Sequence, residues 1–235
     1  MIVNNLNNKI ASKPLFSESG KSSNIYEKSL IDTVPLFRKA LINNKFNKKL
    51  NENNYTQIFI ICLNNILSDF PLQVIGQYSE IINQEANPQK SVDFAFVPRE
   101  KKSIELQSLY CVEAKRLPTG DKDREKEYIW GKFKESGSPS GGILRFKTGD
   151  HGVGLLKNAL IGYVEENMCE NWFSIINKWI NEKVKEDSDW DNEEQLCNFQ
   201  NHPINKYSTA YSTVKRKSEI VDLLHLWIDV KELKI

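Results

Sequence analysis

Two short apolar segments carry charged residues where a core strand should carry none. The segments are "SVDFAFV" at 91–97 and "LYCVEAK" at 109–115, and both have the length and the aromatic and β-branched content of buried strands. Burying a charge is costly unless the charge is paired. Any fold of this chain must therefore place Asp93, Glu113 and Lys115 where other groups satisfy them.

Strand periodicity brings these charges together. Side chains of a strand alternate between faces, so Glu113 and Lys115 share one face, with Cα atoms about 6–7 Å apart. In the first strand Asp93 points away from the side that Val92 and Phe94 share. An antiparallel pairing of the two strands would bring Asp93 beside Glu113. Two neighbouring carboxylates repel each other unless a cation lies between them, and oxygen ligands suit a hard ion such as Mg²⁺.

Two further groups extend the pattern. Lys115 would orient or help to deprotonate a metal-bound water, or neutralise charge that develops on a phosphate. Glu52 lies three residues before Tyr55, so it extends the apolar stripe of a helix predicted over about 52–68. A carboxylate at this end of a helix also complements the helix dipole.

A plainer interpretation is open at this point. Both strands would lie at a sheet edge with one solvated face, so that Asp93, Glu113 and Lys115 are surface charges, and Glu52 would only complement the helix dipole. The Glu-x-Lys triplet alone is weak evidence, because "ELK" at 232–234 matches it too. The stronger signal is the combination of a single acid in one apolar strand with Glu-x-Lys at the end of another.

The remaining pattern predicts an α/β fold, with a mixed central sheet flanked by helices and an extra C-terminal helix and β-hairpin. Residues 1–24 form a polar lead-in, and 25–235 form a single domain with an inserted charged loop at about 118–142. That loop is expected to be mobile or to face the substrate, with a short helix near 128–133. Pro35 is expected to kink or interrupt the first helix, at about 26–43. The other elements are strands at 72–82, 91–97, 108–115 and about 158–166, helices starting near 142 and 171, and a hairpin made of "YSTVKRK" and "EIVDLLHLWIDV".

Composition narrows the class of protein. The net charge is only +1, so binding to nucleic acid would depend on local basic patches. The four cysteines lie far apart without a CxxC pair, which is typical of reduced thiols in a cytosolic protein. No apolar run is long enough to cross a bilayer, and the Asn-rich start has no signal-peptide core. A cytoplasmic protein without a membrane partner is expected.

The order of these features resembles the PD-(D/E)XK, or restriction-endonuclease-like, nuclease superfamily. That superfamily has an α-β-β-β-α-β core with an acid on the first helix, an Asp on the second strand and Glu/Asp-x-Lys on the third. The matching positions are Glu52, Asp93 and Glu113-Ala114-Lys115, and the match covers about 50–165. Val92 stands where the superfamily has a proline before the Asp.

The resemblance implies an endonuclease that cleaves DNA with Mg²⁺, or with Mn²⁺ in its place, and that belongs to a bacterial restriction or anti-phage defence system. It implies that Asp93, Glu113 and the Ala114 carbonyl bind the ion and that Lys115 assists the attacking water. Glu52 would hold a second ion or a metal-bound water. The open alternatives are a catalytically inactive nuclease-fold subunit of a larger defence complex and an RNA-directed nuclease. Expected partners are DNA, other subunits of such a system and a second copy of the chain.

Basic residues supply candidates for contact with nucleic acid. The glycine-rich segment "GGILRFKTGDHGVG" at 141–154 would allow close approach of a phosphate, although a flexible turn explains it as well. The hairpin region 206–217 combines lysines with two tyrosines, which suits either phosphate contact or a protected hairpin edge. His225 is expected to be a satisfied strand histidine. The candidates are Arg116, Arg145, Lys147, Lys215 and Arg216.

Overall fold

A mixed sheet of seven strands forms the centre of the molecule. The computed structural model describes residues 25–44, 46, 49–79, 91–99, 108–119, 124–131 and 140–233. The predicted lead-in and parts of the inserted loop lie outside these residues. The helices are α1 (Ile25–Asn43), α2 (Glu52–Ile66), α3 (Gly142–Thr148) and α4 (Cys169–Glu186), with short 3-10 turns at Asn192–Glu194 and Lys231–Leu233. The strands are β1 (Leu72–Ser79), β2 (Ser91–Pro98), β3 (Tyr110–Leu117), β4 (Lys157–Val164), β5 (Cys197–His202), β6 (Tyr207–Arg216) and β7 (Glu219–Asp229).

The strand order confirms the predicted α/β class. The order is β1-β2-β3-β4-β7-β6-β5, with β3–β4 and β4–β7 parallel and the other pairs antiparallel. Both charged strands, β2 and β3, therefore lie inside the sheet. Glu113 and Lys115 are only 2% and 7% exposed. The interpretation of these two residues as solvated charges at a sheet edge is wrong, because β4 covers the far side of β3.

Helices pack on both faces of the sheet. Apolar residues of α1 and α2 pack with Phe94, Val112 and Ile161 on one face. Residues of α3 and α4 pack with Cys111 and Leu160 on the other. Each fully buried large apolar side chain contributes about 1.5–3 kcal/mol relative to exposure. The two layers hold β3 in a fixed position between them.

Helix α1 continues from Ile25 to Asn43 through Pro35, so the predicted alternative of an interruption is wrong. A proline inside a helix removes one hydrogen bond to the preceding turn. Here Pro35 is exposed, while Leu30, Val34 and Phe37 on the opposite side are completely buried. The packing of this apolar side against the sheet outweighs the missing bond.

The alternation of side chains between the two faces of β2 breaks at Asp93. The prediction that Val92 shares a face with Phe94 is wrong, since Val92 packs in the layer of α3 and α4 and Phe94 in the layer of α1 and α2. The pairing of β1 with β2 runs as far as Gly76–Phe94 and resumes only at Tyr78–Val92. Gln77, opposite Asp93, has a left-handed φ of 47°. This local irregularity breaks the alternation on which the prediction depended.

Part of the predicted inserted loop belongs to the core. Tyr128 and Ile129 are completely buried, although the sequence predicted a substrate-facing loop. The backbone N–H groups of Gly142, Ile143 and Leu144, in the first turn of α3, donate to the carbonyls of residues 127–129. Because the first N–H groups of a helix have no partner within it, these bonds fix segment 124–131 against the start of α3.

The C-terminal region extends the sheet. The predicted extra helix and hairpin are present as α4 and β6–β7. Strand β5 was not predicted, because its side chains are mostly exposed and show no apolar alternation. No helix among the described residues is long and apolar enough to span a membrane.

Candidate active site

The site lies in a fork between β2 and β3. These strands pair only from Phe94–Val112 to Phe96–Tyr110. Beyond this pairing, the Asp93 Oδ2 atom accepts a hydrogen bond of 2.6 Å from the backbone N–H of Ala114. A carboxylate therefore takes the place of a main-chain acceptor at the point where the strands separate.

A second carboxylate reaches the same strand from helix α2. Asn51 caps this helix, and its side chain and that of Asn54 each accept a bond from the other residue's backbone N–H. The cap places Glu52 in the first turn, where its Oε2 atom accepts a 3.0 Å bond from the backbone N–H of Arg116. Asp93 and Glu52 thus bind the N–H groups of alternate residues of β3.

Lys115 lies between these carboxylates and Glu113. Its Nζ atom donates to Glu113 Oε1 at 2.7 Å and to the Ala114 carbonyl at 2.8 Å. The same Nζ atom lies 3.7 Å from Glu52 Oε1. On α3, Arg145 places a guanidinium nitrogen 3.3 Å from Glu113 Oε1. The four residues predicted as catalytic therefore come together, and Arg145 joins them.

The pKa values of Asp93 and Glu113 are shifted in opposite directions because their surroundings differ. Burial, and next the neighbouring Glu113, raise the pKa of Asp93. Burial also raises the pKa of Glu113, but the nearby cations Lys115 and Arg145 outweigh it and hold that pKa below its ordinary value. Burial lowers the pKa of Lys115, and the carboxylates around it more than compensate. Glu113 and Lys115 are thus an ionised pair at neutral pH, and Asp93 is the acid that takes up a proton most readily.

His151 is a site residue that the sequence did not identify as one. It is completely buried, and its Nδ1 atom lies 3.4 Å from Glu113 Oε2. Neither ring nitrogen has a hydrogen-bond partner in the described part of the chain, and neither does Glu113 Oε2. Burial lowers the pKa of His151 to about 4, so the ring is neutral at pH 7. The available signal was the histidine inside "TGDHGVG".

Hydrogen bonds from two directions fix the loop that carries His151. The carbonyl of Arg145 accepts from the backbone N–H of both Asp150 and His151. Arg216 donates to the carbonyls of Gly152 at 2.7 Å and Leu155 at 3.0 Å. Gly152 has a φ of 66°, and a Cβ atom there would lie 2.7 Å from the Asn158 side chain. Glycine is therefore required at this position.

All five basic residues predicted to bind nucleic acid take part in ion pairs. Arg145 contacts Glu113, as described above. The nucleic-acid-binding role of all five remains a prediction. The other four pairs are Arg116 with Glu165, Lys147 with Glu194, Lys215 with Asp191, and Arg216 with Glu219.

The donor set of the fork has the chemistry of a site for a hard divalent ion. Asp93, Glu113 and the Ala114 carbonyl all offer oxygen, and Glu113 Oε2 is buried without a hydrogen-bond donor. Among the described residues no three His, Cys, Asp or Glu side chains form a group that could hold a metal ion. The Lys115 ammonium binds Glu113 Oε1 and the Ala114 carbonyl, so a divalent ion would compete with it for these oxygens.

The comparisons with known proteins identify no relative. No family model, no curated protein and no solved structure matches this chain. The functional proposal therefore depends on the residues of the site themselves.

Proposed function

We propose that this protein hydrolyses phosphodiester bonds of DNA with the help of a divalent metal ion, on a restriction-endonuclease-like core. The observation that carries the proposal is the convergence of Glu52, Asp93, Glu113 and Lys115 in one fork inside the sheet. The element order α2-β1-β2-β3-α3-β4 supports the proposal, because the resemblance to the PD-(D/E)XK superfamily implies an α-β-β-β-α-β core.

Asp93, Glu113 and the Ala114 carbonyl would hold Mg²⁺ or Mn²⁺. Such an ion supplies an activated water and neutralises charge on the leaving oxygen. Glu52 binds the backbone of β3 and lies near Lys115, so it orders the side of the fork that faces α2.

Lys115 would act as an electrostatic group and not as a base. The carboxylates around it keep its ammonium charged, and its aliphatic chain is buried between the two helical layers. A fixed positive charge at this point stabilises the negative charge that develops on a phosphate during attack. Arg145, at 3.3 Å from the same Glu113 oxygen, adds a second cation on the α3 side.

A cavity on the other side of α3 supplies surface for the substrate. Its volume is about 810 Å³, and it is lined by two tryptophans, four lysines and three aspartates among other residues. Aromatic rings stack on bases and lysines contact phosphates, a combination found in single-strand-binding grooves. The aspartates keep the cavity from being strongly basic, in line with the low net charge of the chain. The tryptophans and lysines are Trp130, Trp190, Lys147, Lys183, Lys215 and Lys217.

The test is a cleavage assay on plasmid, linear duplex, single-stranded DNA and RNA, with Mg²⁺, Mn²⁺ or a chelator. We expect DNA cleavage that needs the divalent ion and that falls by about 100-fold or more in Asp93→Asn and Lys115→Met. Lys28→Met is the matched control, since Lys28 is a 61% exposed lysine on α1. Circular dichroism shows which variants remain folded.

Each other outcome has a definite meaning. Ion-dependent cleavage that survives in both folded site variants contradicts the assignment of the site. Absence of cleavage on every substrate contradicts the proposed enzymatic activity and favours an inactive subunit of a larger complex. Cleavage of RNA alone favours the RNA-directed nuclease. A restriction or anti-phage defence system is the setting that the superfamily resemblance implies.

A further inference from the structure

Two buried polar groups face each other in the fork without hydrogen bonds. His151 is completely buried, neither of its ring nitrogens has a partner among the described residues, and Glu113 Oε2 has none either. A buried polar atom without a partner costs about 1–3 kcal/mol, so native proteins keep few of them. Three such atoms in one place indicate a binding site for a group that pairs with them.

The two oxygens of Glu113 have different surroundings. Oε1 receives both cations, Lys115 at 2.7 Å and Arg145 at 3.3 Å. Oε2 lies 3.4 Å from His151 Nδ1 and has no hydrogen-bond partner among the described residues. The cations therefore leave the side of Glu113 that faces His151 open to a further ligand.

The separation of these two atoms suits a shared ion. Ligand atoms that each lie about 2.1 Å from one ion are about 3.0 Å apart at a right angle and about 3.4 Å apart at a tetrahedral angle. The observed 3.4 Å falls at the end of that range. A direct hydrogen bond between the ring and the carboxylate would bring the atoms closer, to about 2.7–2.9 Å.

The ring is held in place before any ligand binds. The backbone bond from His151 to Arg145, the two bonds from Arg216 to the loop and the edge contact of the ring with Phe146, at 5.7 Å between centroids, fix its orientation. Ligand sites held this rigidly lose little entropy on binding.

We propose that His151 supplies an imidazole nitrogen to the divalent ion bound at Glu113, so that the site prefers ions that bind imidazole well, such as Co²⁺ and Zn²⁺, to Mg²⁺. The inference rests on the proposed metal site and adds to it an imidazole ligand at Glu113 and the identity of the preferred ion. Imidazole suits the transition metals, whereas Mg²⁺ selects oxygen and retains its water.

The first test is a titration of the metal-free protein with Co²⁺, read by the visible absorption of the bound ion, and with Mg²⁺, read by calorimetry. We expect tighter binding of Co²⁺ than of Mg²⁺. His151→Asn weakens Co²⁺ binding by about tenfold or more and changes its spectrum, while Mg²⁺ binding changes far less. His202→Asn is the matched control, since His202 lies at the end of β5 and stacks on Tyr207.

The second test titrates the wild-type chain and uses one variant, at His202, only to assign the signals. The chain has three histidines, so a long-range ¹H–¹⁵N spectrum contains three imidazole signal sets. We expect added Zn²⁺, which is diamagnetic, to shift only one of them. The set that disappears in His202→Asn belongs to His202. His225 is buried and hydrogen-bonded on both nitrogens, so its set should not shift, and the set that shifts is assigned to His151.

The inference and the proposed function fail in different ways. Co²⁺ binding that Asp93→Asn abolishes and His151→Asn leaves unchanged overturns the role of His151 and leaves the carboxylate site intact. Co²⁺ binding that depends on His151, in a protein that cleaves no nucleic acid, supports the ligand and contradicts the nuclease. A Zn²⁺ titration that shifts none of the imidazole signals also overturns the inference.

Discussion

His151 and His225 are both completely buried, and they differ in their hydrogen bonds. His225 has a partner at 2.8 Å on each ring nitrogen, Tyr128 on Nδ1 and Ser212 on Nε2, and Trp227 donates to Tyr128. Within the part of the chain that the structure describes, neither nitrogen of His151 has a hydrogen-bond partner. One core histidine is fully paired, as predicted from the sequence, and the other is kept unpaired beside a carboxylate.

The difference separates a structural polar network from a ligand site. A fully satisfied network makes its core rigid and specifies how the strands pack. An unsatisfied group costs stability and is retained only where it has another use. The layer of α3 and α4 therefore contains both kinds of site, one at β6–β7 and one at the fork.

The largest effect is expected at the charged pair of the fork. Lys115→Met removes the closest cation from Glu113, whose side chain is 2% exposed. Removing one partner of a buried ion pair costs about 3–5 kcal/mol. The free energy of unfolding, measured with a chelator present so that no metal ion is bound, should therefore fall by this amount. Added Mn²⁺ should restore part of it by replacing the lost charge.

Urea denaturation with and without Mn²⁺ measures this change. Lys28→Met, which removes an exposed pair with Asp32, should change stability by less than about 1 kcal/mol. Equal stability of Lys115→Met and the wild type would contradict the claim that the buried pair of Lys115 and Glu113 stabilises the fold.

Acid should weaken the fold through both histidines. Burial lowers the pKa of His225 to about 3 and that of His151 to about 4, from an ordinary value of 6.5. Below pH 6.5 the unfolded chain therefore binds protons that the folded chain does not bind. The contribution of these histidines to the free energy of unfolding is complete above about pH 6.5 and is lost as the pH falls towards the folded-state values. At pH 5, about 1.5 pH units below the ordinary pKa, each histidine should lower the free energy of unfolding by roughly 2 kcal/mol, since one pH unit corresponds to about 1.36 kcal/mol.

The comparison of wild type with His151→Leu isolates one histidine. The raised pKa of Asp93 acts in the opposite direction, so the difference between the two proteins is the useful quantity. Unfolding free energies at pH 7.5 and pH 5, in chelator, should show a smaller loss in His151→Leu. An identical loss in both proteins would mean that His151 is not a buried neutral ring.

A smaller effect is expected in the paired network. Tyr128→Phe leaves His225 Nδ1 and Trp227 Nε1 without their partner, which should cost about 1–3 kcal/mol of stability. Binding of Co²⁺ should be unchanged, because the network does not contact the fork. Thermal unfolding and the cobalt titration measure the two quantities, and a change in metal affinity would show that the two regions are coupled.

The smallest effect on stability is expected at His151 itself. His151→Leu removes two unpaired nitrogens and no hydrogen bond, so the free energy of unfolding at pH 7.5 should stay the same or rise by up to about 1 kcal/mol. Metal affinity should fall in the same variant. A stability loss above about 2 kcal/mol, measured by urea denaturation in chelator, would assign His151 to the structure and not to the site.

Strand periodicity predicted the parts of the site that are local. Glu113 and Lys115 lie two positions apart on one strand, so their proximity follows from the sequence alone. Asp93 was predicted from an antiparallel pairing of the two charged strands, and Glu52 from the apolar stripe of its helix; the resemblance to the superfamily then added support to both. The sequence also gave the hairpin β6–β7, whose two strands are long and largely buried.

The parts that could not be predicted depend on distant contacts or unusual backbone. The position of His151 is set by α3 and by Arg216, which lies 64 positions after the Gly152 carbonyl that it binds. The change of face at Asp93 depends on a left-handed Gln77, and no glycine marks that position. Tyr128 looks like a loop residue because charged residues precede it, yet its partners are on β7.

The two bonds from Arg216 to the loop of His151 have a consequence for biosynthesis. Ribosomes make the chain from its N-terminus, so all four residues predicted as catalytic emerge about a hundred or more positions before Arg216. Until the last hairpin is complete, the loop at 149–155 lacks these two bonds. The nascent chain therefore has its carboxylates and lysine early and acquires a fully positioned histidine only after Arg216 has been made.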